Sequence, residues 1–186
     1  MTQRKKEELA IVLDFLLHGY ISDNSPSHLK TPIGQSIGTN AFTLLELVPK
    51  KGVFLQPHEK VYIGDAKREK IHHINGKLKY EKLSSTAKAE LEHAIKEIVK
   101  EQEKLFVEFF NKAMPLSTRM HVFELLPGVG KKHMMEIVEE RREKPFESFD
   151  DIKKRVKLMP DPERVIIKRI IQELKGEEKH YLFTSA

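Results

Sequence analysis

The pattern of apolar residues changes once along the chain, near residue 84, and this change constrains the fold most strongly. Before it, short apolar runs are separated by clusters of glycine, proline, serine and asparagine, as in strands joined by turns. After it, apolar residues recur every three or four positions, which is typical of amphipathic helices. We therefore expect an α+β protein with a β-rich first part and an all-helical second part.

The β-rich part contains candidate strands at residues 10–17, 42–48 and 60–64. The first run is almost wholly apolar, and its length fits a buried strand, with a short helix as the alternative. Asn75-Gly76, between residues 71–74 and 77–80, predicts a two-residue type I′ hairpin. We therefore expect five strands in a small closed barrel of the OB or SH3-like kind. Residues 19–40 are rich in glycine and proline and are expected to form a loop.

The helical part is expected to begin with one long helix. Residues 84–86 offer serine and threonine N-caps, and apolar residues then recur at helical spacing to about Asn111. Pro115 ends the pattern. The predicted domains are a barrel at residues 1–83, a connecting helix within 84–114 and a helical domain at 115–186.

The segment 125–132, with the sequence LLPGVGKK, joins two short helical patterns at 117–126 and 131–142. Gly128 and Gly130 permit positive φ and a close approach of a ligand to the backbone, while Val129 points inward. A helix starting at Gly130 leaves its first N–H groups unpaired, which favours an anion, and Lys131 and Lys132 add positive charge.

This segment resembles the helix-hairpin-helix motif, whose hairpin amides hold a nucleic-acid phosphate without reading sequence. The alternative is a hairpin that only packs within its own domain. The pattern occurs again further on, where Ser148 is predicted to cap a helix through Val156. Asp161 and Pro162 are predicted to start another helix, which ends at Leu174 before Gly176. This second turn lacks the glycines, and we interpret it as a degenerate copy.

The net charge of +5 suits a polyanionic partner, and a surplus of four positive charges lies in residues 1–83. The densest basic stretch is a candidate contact for a phosphate backbone. Its alternative is the solvated rim of an ordinary barrel. The residues of this stretch assigned to nucleic-acid binding are Lys67, Arg68, Lys70, Lys77 and Lys79.

Several functional classes lack sequence support. The absence of cysteine excludes disulfides, thiolate zinc sites and cysteine nucleophiles. His72 and His73 are expected on opposite faces of a strand, where they cannot chelate one metal ion. No motif gathers a nucleophile, a base and oxyanion donors, so we expect no catalytic residues, metal or cofactor.

The sequence contains no long apolar run, and its Lys/Glu-rich start does not resemble a signal peptide. We therefore expect a cytoplasmic protein without membrane contact.

The whole chain resembles an archaeal family known as a domain of unknown function and often described as RNA-binding. The resemblance implies an OB-like barrel followed by a helix-hairpin-helix unit, acting as an accessory factor in translation or RNA metabolism. It favours RNA over DNA, with ribosomal or other proteins as further partners. The alternatives are a protein-interaction adaptor and a DNA repair or recombination accessory. The segments that carry the resemblance are residues 12–14, 42–48, 59–64, 125–132 and 145–152.

Overall fold

The computed structural model describes residues 6–20, 24–26, 28 and 30–185. The chain divides into two compact units: unit 1 comprises Met1–Ile95 and Gln172–Ala186, and unit 2 comprises Lys96–Ile171. The expected combination of strands followed by helices is present. The strands are β1 Leu9–Leu16, β2 Ile33–Gly38, β3 Leu44–Pro49, β4 Lys60–Tyr62, β5 Ile71–Lys77, β6 Pro115–Ser117 and β7 Met120–His121. The helices are α1 Ser85–Glu101, α2 Glu103–Lys112, α3 Lys131–Glu143, α4 Phe149–Arg155 and α5 Pro162–Leu174.

The divisions between the units fall inside α1 and α5. Residues 172–186 group with the β-rich part. The predicted domain boundaries lie instead after residues 83 and 114. The predicted boundaries remain a prediction about which pieces of the chain fold independently.

Unit 1 is built on a curled, five-stranded antiparallel sheet with the strand order β4-β1-β2-β3-β5. The predicted strands at 10–17, 42–48 and 60–64 correspond to β1, β3 and β4. Within the described ranges β4 and β5 are the two edges and do not pair with each other, so the sheet is a half-barrel. The expectation of a closed barrel was therefore wrong. Its core is formed by Ala10, Val12, Leu45, Leu47, Leu55, Val61, Ile63 and Ile71.

Strand β2 lies within the stretch that was predicted to be a loop. Its sequence, IGQSIG, contains two glycines and no run of apolar residues, yet it pairs with both β1 and β3. A Cβ atom on Gly34 would lie 2.7 Å from Cδ1 of Leu55, so a neighbouring side chain occupies the space. The glycines that suggested a loop instead permit close packing in the centre of the sheet.

The Asn75-Gly76 pair does not form the predicted hairpin turn. Strand β5 runs through both residues, and neither has a positive φ, which a type I′ turn requires. The pairing of β3 with β5 shifts beside Glu46, and the side-chain amide of Asn75 donates a hydrogen bond to the Glu46 carboxylate. Tyr20 donates another to the same carboxylate at 2.5 Å. The pair therefore lies at a β-bulge, stabilised by contacts remote in sequence.

The C-terminal segment of unit 1 is held by one buried carboxylate. Glu173, with 2% of its surface exposed, accepts hydrogen bonds from the backbone N–H groups of Leu182, Phe183 and Thr184 at 2.7, 3.0 and 2.8 Å. The Thr184 hydroxyl donates a further bond at 3.1 Å. Because a carboxylate accepts such bonds more strongly than a neutral group, Glu173 fixes the path of residues 182–184.

The long helix predicted from residue 84 to about 111 is two helices. The break lies at Gln102, whose φ of −107° and ψ of 25° are not helical.

The predicted helix at 117–126 was also wrong: strands β6 and β7 form a short ribbon there, followed by a 3-10 helix at Val122–Leu125. Later boundaries agree with the sequence. Ser148 accepts from the N–H of Asp151 at 3.0 Å before α4, and Pro162 is the first residue of α5.

Candidate nucleic-acid interface

The 3-10 helix Val122–Leu125 leads into residues 126–130, the glycine loop, and is anchored by Phe123. The Phe123 ring is fully buried and stacks on Phe110, with centroids 5.7 Å apart, and on His121 at 4.5 Å. The Phe123 N–H donates to Nδ1 of His121 at 3.2 Å, and the His121 N–H donates to Glu124 at 2.9 Å. These reciprocal bonds fix the start of the 3-10 helix, and with it the direction in which the chain enters the loop.

A buried arginine fixes the last carbonyl before the loop. The guanidinium of Arg169, on α5, donates to the carbonyl oxygen of Leu125 at 2.8 Å, and only 2% of the residue is exposed. Sequence reasoning missed Arg169, because an arginine in an amphipathic helix is usually solvated. Its one sequence signal is its position between Lys168 and Ile170, on the apolar face that also carries Ile166.

The loop itself is open. Gly128 has a φ of 80° and is exposed, whereas Val129 is buried and its N–H donates to the Leu126 carbonyl at 3.1 Å. Gly130 is exposed and extended, and a Cβ atom there would meet nothing within 4 Å. The inward valine between two outward glycines agrees with the prediction from sequence.

Helix α3 begins immediately after the loop, and Met134 donates the first backbone bond to the carbonyl of Gly130 at 3.0 Å. The N–H groups of residues 131–133 lie in the first turn, where no earlier helical carbonyl can accept them. The Gly130 N–H, which was predicted to be free for a ligand, makes a long bond of 3.4 Å to Nδ1 of His133. Lys131 and Lys132 are exposed. The positive end of α3 and two ammonium groups therefore occur together.

The second predicted turn lies against the first. Pro160, between α4 and α5, has its Cγ atom 3.1 Å from the place where a Cβ on Gly128 would lie. Asp161 accepts from the N–H of Arg164 at 3.2 Å and pairs with Lys153 at 2.7 Å. Burial alone would raise the pKa of Asp161, but the hydrogen bond from Lys153 and the backbone bonds hold it below its usual value. The negative charge of Asp161 is thus compensated by Lys153, which reduces its repulsion of a nearby anion.

The basic residues near α4 differ in role, because Arg155 has structural partners whereas Lys154 and Lys157 face solvent. The side chain of Arg155 bonds to Glu140 at 3.1 Å and to Asp151 at 3.2 Å, and its guanidinium lies over the Phe146 ring at 4.6 Å. Lys154 and Lys157 are exposed. Arg155 therefore stabilises the packing of α4, whereas the two lysines face solvent.

The basic stretch of unit 1 does not form one patch. The predicted hairpin would have placed Lys77 and Lys79 beside residues 67–70, but β5 separates the two groups by roughly 20 Å of extended chain. Within the first group, Lys70 pairs with Glu59, and Nε of Arg68 donates to the Gly64 carbonyl at 2.9 Å. Lys67 is exposed beside a cleft of about 330 Å³ that Lys50 and His72 also line.

The structure places further lysines near the second group, Lys77 and Lys79, that the sequence did not reveal. The ammonium groups of Lys88 and Lys175 each lie 5.5 Å from the centroid of the Tyr80 ring. Lys77 and Lys79 line a neighbouring cleft of about 650 Å³, together with Tyr80, Lys175 and the docked C-terminal segment. Lys175 and Lys88 come from distant parts of the sequence, so no local pattern could have grouped them.

The two adjacent histidines do not point apart as expected. Their Nδ1 atoms are 2.7 Å apart, and both residues are exposed. The reason is a register shift between Val48 and Pro49 in the pairing of β3 with β5. His72 is an additional residue of β5 at this bulge, opposite no residue of β3, so the regular alternation of side chains is interrupted. No group of three or more metal-ligating side chains occurs in the part of the chain that the structure describes.

The fold and the loop define a two-unit α+β protein in which a half-barrel is combined with a helical unit that presents an open glycine loop. The chain belongs to the family described as "Protein of unknown function (DUF655)", whose model matches residues 6–185. This confirms the resemblance to an archaeal family of unknown function.

Two relatives illustrate the similarity. The uncharacterized protein MJ0038 of Methanocaldococcus jannaschii is 46% identical over 182 residues, which cover 97% of this chain and 81% of that protein. The crystal structure of Af1531 from Archaeoglobus fulgidus, of the same family, is also 46% identical. It superposes with a TM-score of 0.89 over 96% of this chain and all of that one. No helix in the described ranges has the length and apolar character needed to cross a membrane.

Proposed function

We propose that this protein is a non-enzymatic nucleic-acid-binding factor that contacts the phosphate backbone without reading sequence. The observation that carries the proposal is the exposed Gly128–Val129–Gly130 turn at the start of α3, flanked by the exposed side chains of Lys131 and Lys132. A phosphate placed there meets unpaired N–H groups, the positive end of a helix and two cations together.

We relate this part of unit 2 to the helix-hairpin-helix class. The loop before α3 and the loop between α4 and α5 lie in contact through Gly128 and Pro160, as two copies of one hairpin would. We relate the half-barrel of unit 1 to the OB class. Its exposed residues Lys67, Lys77 and Lys79 are then additional contacts for the backbone. Arg68 and Lys70 contribute less, because each already has a partner in unit 1.

The preferred partner in this proposal is RNA, in a cytoplasmic role in translation or RNA metabolism. This preference follows from the family resemblance alone, since the loop contacts phosphates that RNA and DNA share. Competition between RNA and DNA oligonucleotides of identical sequence tests it directly.

The proposal as a whole is tested by fluorescence anisotropy with labelled RNA and DNA, single-stranded and duplex. Contact with about three to five phosphates gives a slope of about −3 to −4 when log K is plotted against log salt concentration for a duplex. We expect Lys131→Glu with Lys132→Glu to weaken binding severalfold while the protein stays folded. The control, Lys100→Glu with Lys104→Glu, makes the same change in charge at exposed positions of α1 and α2. Equal affinities for both double variants would contradict the proposal.

A second candidate function, a protein-interaction adaptor, is favoured by the β6–β7 ribbon. Met114, Leu116 and Met120 on or beside it are exposed apolar side chains. A protein that binds neither RNA nor DNA at low salt, yet is purified with one defined partner that Leu116→Glu releases, would support the adaptor function instead.

A further inference from the structure

The side chain of Leu158, in the loop between α4 and α5, has no role in the packing of unit 2. It exposes 94% of its surface, more than any other large apolar side chain in the part of the chain described. An apolar side chain that stays in water contributes nothing to hydrophobic stabilisation. The side chain is therefore free to pack against a ligand without loss of packing within unit 2.

The backbone of Leu158 adds a second observation. Its φ of 63° lies in the left-handed region, where glycine and asparagine are preferred and leucine is rare. The neighbouring loop uses glycine for its own left-handed residue, Gly128. At position 158 the chain instead uses leucine in this conformation, and strained backbone of this kind clusters at functional sites.

The position of Leu158 connects it with the glycine loop. Pro160, two residues further on, contacts Gly128, so Leu158 lies on a loop that adjoins the proposed phosphate site. The exposed Lys154 and Lys157 flank it, and Asp161 is paired with Lys153. Glu136 also adjoins this loop, and its carboxylate accepts the backbone N–H of Lys157 at 2.9 Å. The surroundings are thus suited to a polyanion.

We propose that Leu158 packs against an unstacked base when the glycine loop holds the adjacent phosphates. The preferred ligand is then a duplex interrupted by a bulge or an unpaired nucleotide. An opened base step exposes an apolar base face that a leucine can cover, whereas an intact duplex offers none without the cost of unstacking. This inference rests on the proposed nucleic-acid function and adds a preference for a particular ligand structure.

The experiment compares two RNA duplexes that differ by one bulged 2-aminopurine nucleotide. We expect the wild-type protein to bind the bulged duplex about fivefold more tightly, or better, and to change the 2-aminopurine fluorescence. Leu158→Asn should bind both duplexes as the wild type binds the intact one, without the fluorescence change. Asparagine tolerates the left-handed backbone, so the melting temperature should not fall. The control, Leu105→Asn, removes an exposed leucine from α2 and should keep the preference.

The outcomes separate the inference from the proposed function. If the wild type binds both duplexes equally, or if Leu158→Asn keeps the preference, the proposed role of Leu158 is contradicted. The proposed binding to the phosphate backbone is not affected by either result. If the wild type binds neither duplex at low salt, the proposed function fails, and the inference fails with it.

Discussion

The Nη1 atom of Arg169 lies 2.8 Å from the carbonyl oxygen of Leu125, and this bond joins α5 to the entrance of the glycine loop. The residues are 44 positions apart in the sequence. Leu125 is the last residue of the 3-10 helix, so its carbonyl oxygen lacks a donor from a following helical turn, and Arg169 supplies one. The bond also fixes the backbone just before Pro127. The loop is therefore held in shape by a residue outside it.

Replacing Arg169 by methionine should destabilise the protein by about 2–4 kcal/mol, because the Leu125 carbonyl loses a charged donor in a buried position. Urea unfolding measures this change. The exposed Arg164 on the same helix provides the control, and Arg164→Met should change stability by less than about 0.5 kcal/mol. Equal effects of the two substitutions would show that the buried bond contributes nothing specific.

The two loop glycines should respond differently to alanine. Gly128→Ala forces a side chain into the left-handed region and within 3.1 Å of Pro160, so we expect a loss of about 2 kcal/mol in unfolding free energy. Gly130→Ala has open space and an ordinary φ, and should cost only about 0.5 kcal/mol, because alanine is a weaker N-cap. Thermal unfolding of both variants checks the order, and a larger loss for Gly130→Ala would contradict the loop geometry.

Stability should fall as the pH drops below about 6.5, the ordinary pKa of histidine, because of His121. Burial, with the nearby Arg141 cation, lowers the pKa of His121, and its Nδ1 must be unprotonated to accept the Phe123 N–H. In this pH range the unfolded chain takes up a proton that the folded protein does not, so acid favours unfolding until the pH passes below the folded pKa.

Melting temperatures between pH 8 and pH 5 measure the effect of His121. His121→Asn keeps a side-chain acceptor for the Phe123 N–H but does not titrate, so its melting temperature should depend less on pH in this range. An identical pH dependence in the wild type and the variant would assign the effect to other groups.

Glu173→Gln should loosen the C-terminal segment. The substitution removes the charge that accepts three backbone N–H groups and a hydroxyl, and should cost about 2–3 kcal/mol. Hydrogen exchange at Phe183 and Thr184 should accelerate accordingly. The exposed Glu177 supplies the control, since Glu177→Gln should leave these exchange rates unchanged.

The predicted geometry of the loop agrees with the structure where the signal was local, while its role as a binding site stays a prediction. The exposed glycines, the inward Val129 and the two exposed lysines of the loop follow from backbone rules that act over a few residues. The expected placement of Lys77 beside residues 67–70 was wrong, because it depended on a hairpin that does not form. Arg169, Lys88 and Lys175 were missed, since each meets its partner only through the fold.

The sequence by itself determined the α+β order, the strands β1, β3 and β4, and the ends of α4 and α5. Ser148, Asp161, Pro162 and Gly176 act at these ends through bonds and torsions within their own neighbourhood. The tertiary structure decided that Asn75-Gly76 is a bulge, that a glycine-rich segment is the central strand β2, and that Arg169 supports the loop. These outcomes depend on partners such as Glu46, Leu55 and Leu125, and a pattern of neighbouring residues carries no information about which distant groups will meet them.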